Sequence, residues 1–186
     1  MLIPAETHLS EVGRRARENG AWVKALTEGL DDEALLWQPE PRRWGVAECL
    51  EHLVATGSAY HPRIREAIEN GAPCEADPAY RPRLWARLFI HSAGPRGRLP
   101  LRAPRPFRPP EARPDVAERF MSQQDELLSF VDAARGVDLQ RARVPSPVSR
   151  FLVLTLGEVF EVIVAHQERH LAQAQAVVER PGFPQR

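Results

Sequence analysis

The chain has 186 residues, 43% of them hydrophobic and 27% charged, with 25 basic and 25 acidic side chains. That size and balance suit one globular domain across residues 1–186, with a full-sized core. A formal net charge of zero argues against nucleic acid or an anionic membrane as partner, and no apolar run reaches the length of a membrane span.

The N-terminal stretch MLIPAETHLSEVGRRARENG lacks the apolar region of a signal peptide, so a cytoplasmic location is expected. The first predicted helix runs from about Ala5 to Leu30, with Leu9, Val12, Ala16, Val23 and Leu26 on a rough stripe. Gly20 interrupts it without a clear break. His8, near its start, is expected at the surface. The second helix begins near Gly45 and carries Val46, Cys49, Leu50, Leu53 and Val54, then Ile64 and Ile68. Gly45 as cap and Glu48 at the third helical position make half of a capping box. Pro62 is expected to kink this helix or end it near Tyr60. Cys49 and Cys74 are the only cysteines. They can pair, but without an export signal reduced thiols are the better expectation, and a zinc site built on thiolates is not available.

A connection of about 40 residues follows, long for a helical bundle. It contains a short predicted helix, Arg81 to His91, with Leu84, Trp85, Leu88 and Phe89 giving it an apolar side. From Pro78 to Pro110 there are eight arginines and no Asp or Glu, and prolines crowd the second half. Such a segment is either a basic rim for an anionic substrate or nucleic-acid backbone, or a solvated loop stiffened by proline. Sparse stacking aromatics and the neutral chain favour the loop. The third helix runs from about Asp115 to Ala134, preceded by Pro114 and closed by Gly136. No segment alternates convincingly with period two, and Val144 to Val153 is too proline-rich for a central strand. The expected fold is all-α, a four-helix bundle in which the long connection lets consecutive helices run parallel.

The fourth helix spans Leu154 to Val178, with apolar residues spaced mostly by three and four. It carries His166 and His170 in an H-x-x-x-H motif on or beside the buried face. Imidazoles four residues apart on a helix differ by only about 40° and about 6 Å, so both rings can turn to one point. A metal ion is one reason for that arrangement; hydrogen-bonded core histidines or surface histidines are the other. A third ligand decides between them. His61 precedes Pro62, and His91 ends the short helix, where a cap role is ordinary. His52 lies two turns into the second helix, between Leu50 and Leu53, on or beside the face that enters the bundle. Together, His52, His166 and His170 make a candidate site of three ligands with an open position.

Trp44, Glu48, Leu50, His52 and Leu53 read W-x-x-x-E-x-L-x-H-L, and His166, Arg169, His170, Leu171 and Gln173 follow in the last helix. With the stretch Arg102 to Pro109 and the tail Pro181-Gly182-Phe183-Pro184, this combination resembles the DinB-like superfamily, also described as DinB/YfiT-like metalloenzymes. The resemblance implies a four-helix bundle of up-down-down-up order, often a homodimer, and a divalent metal on His52, His166 and His170, zinc or nickel being expected. It also implies a loose activity class: some relatives transfer groups to or from low-molecular-weight thiols such as bacillithiol or mycothiol, and others are named only as hydrolases. Gly45 departs from the Ser or Thr that many relatives carry at the cap.

A metal on three neutral histidines keeps its double charge and activates water for hydrolysis or a thiol for S-transfer. Glu48, one turn before His52, is the nearest candidate general base, although a carboxylate there also suits a helix start. Glu161 and Glu168 are candidates to orient ligand histidines, and Arg169 is expected to point away from the metal. Three readings stay open: a metal-dependent thiol S-transferase or hydrolase, a non-catalytic metal-stabilised bundle acting as a stress-response or binding protein, and a metal-free polar cluster.

Overall fold

The computed structural model describes residues 2–41, 43–74, 79–95, 97, 104, 107–108 and 111–184. These residues are mostly helical, with two small sheets. β1 (Ile3–Pro4) leads into α1 (Ala5–Thr27), which buries Leu9, Val12, Ala16, Val23 and Leu26 as the periodicity requires. α1 stops a turn before Leu30, because Gly29 takes a φ of 72° and α2 (Asp32–Leu36) starts on Asp31, whose carboxylate accepts the Ala34 N–H at 2.8 Å.

α3 (Val46–Glu69) opens on Gly45, whose N–H donates to Glu48 at 2.8 Å. A Cβ at position 45 would lie 2.1 Å from the Trp37 carbonyl oxygen, so this close turn admits only glycine. Pro62 does not end α3. Tyr60, His61, Ile64 and Ala67 are buried on both sides of it, and that packing outweighs a helix-interior proline cost of ~3 kcal/mol. Cys49, buried in α3, and Cys74 are both free thiols.

β2 (Ala79–Tyr80) pairs antiparallel with β1, setting Tyr80 opposite Ile3. This brings Tyr80 against His8, which is buried rather than exposed at 3% accessibility. The His8 ring tilts against Tyr80 at 4.1 Å, and its Nε2–H donates to the Gly157 carbonyl at 3.1 Å. α4 (Leu84–Ala93) is the short helix of the long connection, but its apolar side divides. Ala86, Phe89 and Ile90 pack inward, while Leu84 and Leu88 are 75% and 67% exposed. Much of the proline- and arginine-rich second half of that connection lies outside the described residues.

After α5 (Val116–Ala133) the chain forms an antiparallel hairpin of β3 (Arg143–Ser146) and β4 (Ser149–Thr155). This corrects the strand-free expectation. A two-stranded hairpin has only edge strands, so Pro145 is tolerated on its exposed face while Val144 and Leu154 are buried opposite each other. The hairpin delivers Thr155 as the cap of α6 (Leu156–Val178). Thr155 and Glu158 complete a capping box, with the Thr155 N–H donating to Glu158 at 2.9 Å. Glu158 is fully buried and also holds the Arg83 guanidinium, one oxygen receiving Nε–H at 2.9 Å. Burial raises the Glu158 pKa, but Arg83 and the Thr155 N–H hold it below the usual carboxylate range.

α1 and α3 each pack against both α5 and α6, and α4 lies on α6. The core falls into two apolar clusters. One gathers the first half of α1, the hairpin, the end of α5 and the start of α6. The other gathers the end of α1, the start of α3 and α5, and the end of α6. A polar layer separates them: Asn19 of α1, Gln124 of α5 and Gln167 of α6 are buried and hydrogen-bonded to one another. The three histidines occupy the other side of α6 at the same level.

Candidate metal centre

His52 enters from α3, and His166 and His170 from α6. One ring nitrogen from each lies within 4.8 Å of the others, and the ring centroids are 4.5–4.9 Å apart. The helical period explains the pair on α6, and the packing of α3 on α6 supplies the third ring.

Two of the rings have their tautomers fixed from outside. The His52 Nδ1–H donates to the Phe107 carbonyl at 2.5 Å, and the His170 Nδ1–H donates to the Gln173 side-chain oxygen at 3.2 Å. Each bond leaves Nε2 with its lone pair. The Nε2 atoms of His52 and His166 stand 3.1 Å apart. Two nitrogens bound to one tetrahedral zinc at ordinary lengths are separated by about 3.3 Å. That pair fits a tetrahedral ion, and the His170 nitrogen lies within 4.8 Å of both.

The electrostatics keep the rings neutral. Burial lowers the pKa of His52, against the Phe107 bond that raises it. Burial, then the charges of His170, His52 and Arg169, depress His166 well below the imidazole range. His170 is lowered to about 3, again chiefly by burial. Neutral imidazole is the form that ligates a metal.

The histidines form part of the wall of a cavity of about 1260 Å³. Trp44 packs against His52 at 5.0 Å and His170 at 5.7 Å. Glu48 also lines the cavity, with both oxygens engaged, one by the Gly45 N–H and the other by Gln38. Glu161 and Glu168 do not orient the ligands as expected. Glu168 pairs with Arg15 at 2.6 Å, and Glu161 lies 3.3 Å from His8, because both residues face α1 rather than α3. Arg169 lines the same cavity and donates to the Ser92 carbonyl of α4 at 2.8 Å. The Phe107 carbonyl has no signal in the sequence, since any residue supplies one. Gln173, three residues beyond His170, was visible only as part of the family pattern.

Among the described residues no helix is long and apolar enough to cross a membrane. No curated protein and no solved structure matches the sequence. The sequence model of the DinB superfamily matches residues 16–174, from α1 into α6, and that span contains all three histidines. The chain belongs to the DinB superfamily.

Proposed function

We propose that His52, His166 and His170 hold one divalent metal ion, zinc or nickel, and that the chain is a metal-dependent thiol S-transferase or hydrolase. The observation that carries this reading is the convergence of three neutral imidazoles on the wall of a large cavity. Three protein ligands facing accessible space match catalytic zinc, which keeps one position open, better than structural zinc, which is closed by four. When bound, the ion supplies a Lewis acid that makes a water or a thiol more acidic.

The chain's own residues prepare that chemistry. The Phe107 carbonyl and Gln173 hold two rings in the ligating tautomer, and Trp44 shields two of them from water. Glu48 is engaged at the start of α3, where its two oxygens hold the Gly45 N–H and the Gln38 amide, and it is the candidate general base nearest His52 in the helix. The cavity, at about 1260 Å³, exceeds the ~300–1,000 Å³ typical of a single-ligand pocket, which favours two reactants side by side, a low-molecular-weight thiol and an electrophile. A bundle of up-down-down-up order, one domain across residues 1–186, and a cytoplasmic homodimer complete the proposal.

The test is a screen of the metal-loaded protein with low-molecular-weight thiols and electrophiles, run beside ester and amide substrates. Turnover that is lost in His166→Ala is the expected result. Silence in both panels would favour the second reading, a non-catalytic metal-stabilised bundle acting as a stress-response or binding protein.

A further inference from the structure

The cavity is chemically lopsided about the three histidines. On α3, Thr56 and Tyr60 continue its wall one and two turns past His52, a reach of about 12 Å. On α6, Val162 and Ile163 stand one turn before His166, and Leu152 of the hairpin faces the same space. This arm is largely apolar. On the other side of the histidines the lining turns polar, with Gln38, Glu48 and Gln173.

The charge at the centre has a definite sign. Three neutral histidines leave a bound ion its full double charge. Arg169 stands in the same wall, tied to α4 through the Ser92 carbonyl, and its charge reaches both His166 and His170. The lining carboxylates do not sit at the metal ligands as partners: Glu48 holds Gly45 and Gln38, and Glu111 is exposed. A positive centre at one end of an apolar arm, with low-dielectric walls, selects an anion that carries a hydrocarbon chain.

Building on the metal-centre reading, we infer that the cavity binds an amphipathic carboxylate, its acid group held at the three-histidine centre beside Arg169 and its apolar chain lying between Tyr60, Ile163 and Leu152. Arg169 is then a specificity-determining residue. Its positive charge suits a carboxylate and gives a neutral amide no such gain.

The experiment is calorimetric titration of the zinc-loaded full chain, its zinc content measured independently, with hexanoate, hexanamide and acetate. Hexanoate is expected to bind about tenfold or more tighter than hexanamide, from the charge-assisted contacts. It is expected to exceed acetate by about tenfold or more, from the apolar chain alone. Arg169→Gln should keep its zinc, lose about fivefold or more of the hexanoate affinity and bind hexanamide as before. A protein that holds zinc but binds hexanoate and hexanamide alike, or whose Arg169→Gln variant binds hexanoate unchanged, overturns the inference and leaves the metal centre standing. A protein that takes up no zinc overturns both.

Discussion

Glu161 stands 3.3 Å from His8, and burial favours the neutral form of both. His8 Nε2–H donates to Gly157, so Nδ1 is left as an acceptor. Burial raises the Glu161 pKa from 4.5 to about 7. Burial likewise lowers His8 from 6.5 to about 4. Between pH 4.5 and about 7 the folded chain therefore holds more protons on Glu161 than the unfolded chain does, and stability from this group falls as the pH rises through that window. For His8 the unfolded chain holds more protons between about 4 and 6.5, and stability falls as the pH drops. Glu161→Gln keeps the shape of the side chain and removes the titration. It is expected to be more stable than the parent near pH 8 by on the order of 1–2 kcal/mol and to match it near pH 5. Thermal melts at the two pH values check this; equal stability at both would show that Glu161 is not the proton holder. At the candidate centre, the three histidines were legible because helix period and one inward position fix a Cβ direction. The burial of His8, away from that centre, was not, since it depends on the partner that β1–β2 pairing brings to it.

On α6, Gln167 sits between His166 and His170 and faces the other way. Its side-chain oxygen accepts from Asn19 at 3.0 Å and from Gln124 at 3.2 Å, and its amide donates to Gln124 at 2.7 Å. The amide thus fixes the rotation of α6 against α1 and α5, and with it the direction of His166 and His170. Gln167→Leu leaves the Asn19 and Gln124 side chains short of partners in a buried layer. The expected cost is about 2–4 kcal/mol, read from urea unfolding, with the melting temperature falling accordingly. A loss below about 0.5 kcal/mol would mean that the layer carries no specificity. The long helices were readable because each buries a continuous stripe. Two elements were not. The hairpin's Pro145 reads as a strand breaker until it is seen on an exposed edge, and Pro62 reads as a kink or a helix end until the packing on both sides of it shows that the helix continues.

In the whole molecule, two apolar clusters meet at one polar level, and the candidate centre lies there, where α3 packs on α6. Buried polar groups are costly unless paired, so a layer of amides and imidazoles in mid-core needs a reason. The amides satisfy one another. One nitrogen of each imidazole lies within 4.8 Å of the others, and a cation among them would satisfy all three. The helical class and the grouping of the three histidines were legible in the sequence because both rest on local periodicity. The cavity was not, because its walls come from α3, α4, α6 and the hairpin, segments far apart in the chain. The most direct measurement is the metal content of protein purified without a histidine tag, for the parent chain and for His52→Ala and His170→Ala, with circular dichroism to confirm that each variant folds. The parent should carry about one divalent ion per chain, natively or after loading with zinc or nickel, and the folded variants should lose most of it. A parent chain that is metal-free and takes up neither ion would contradict the account.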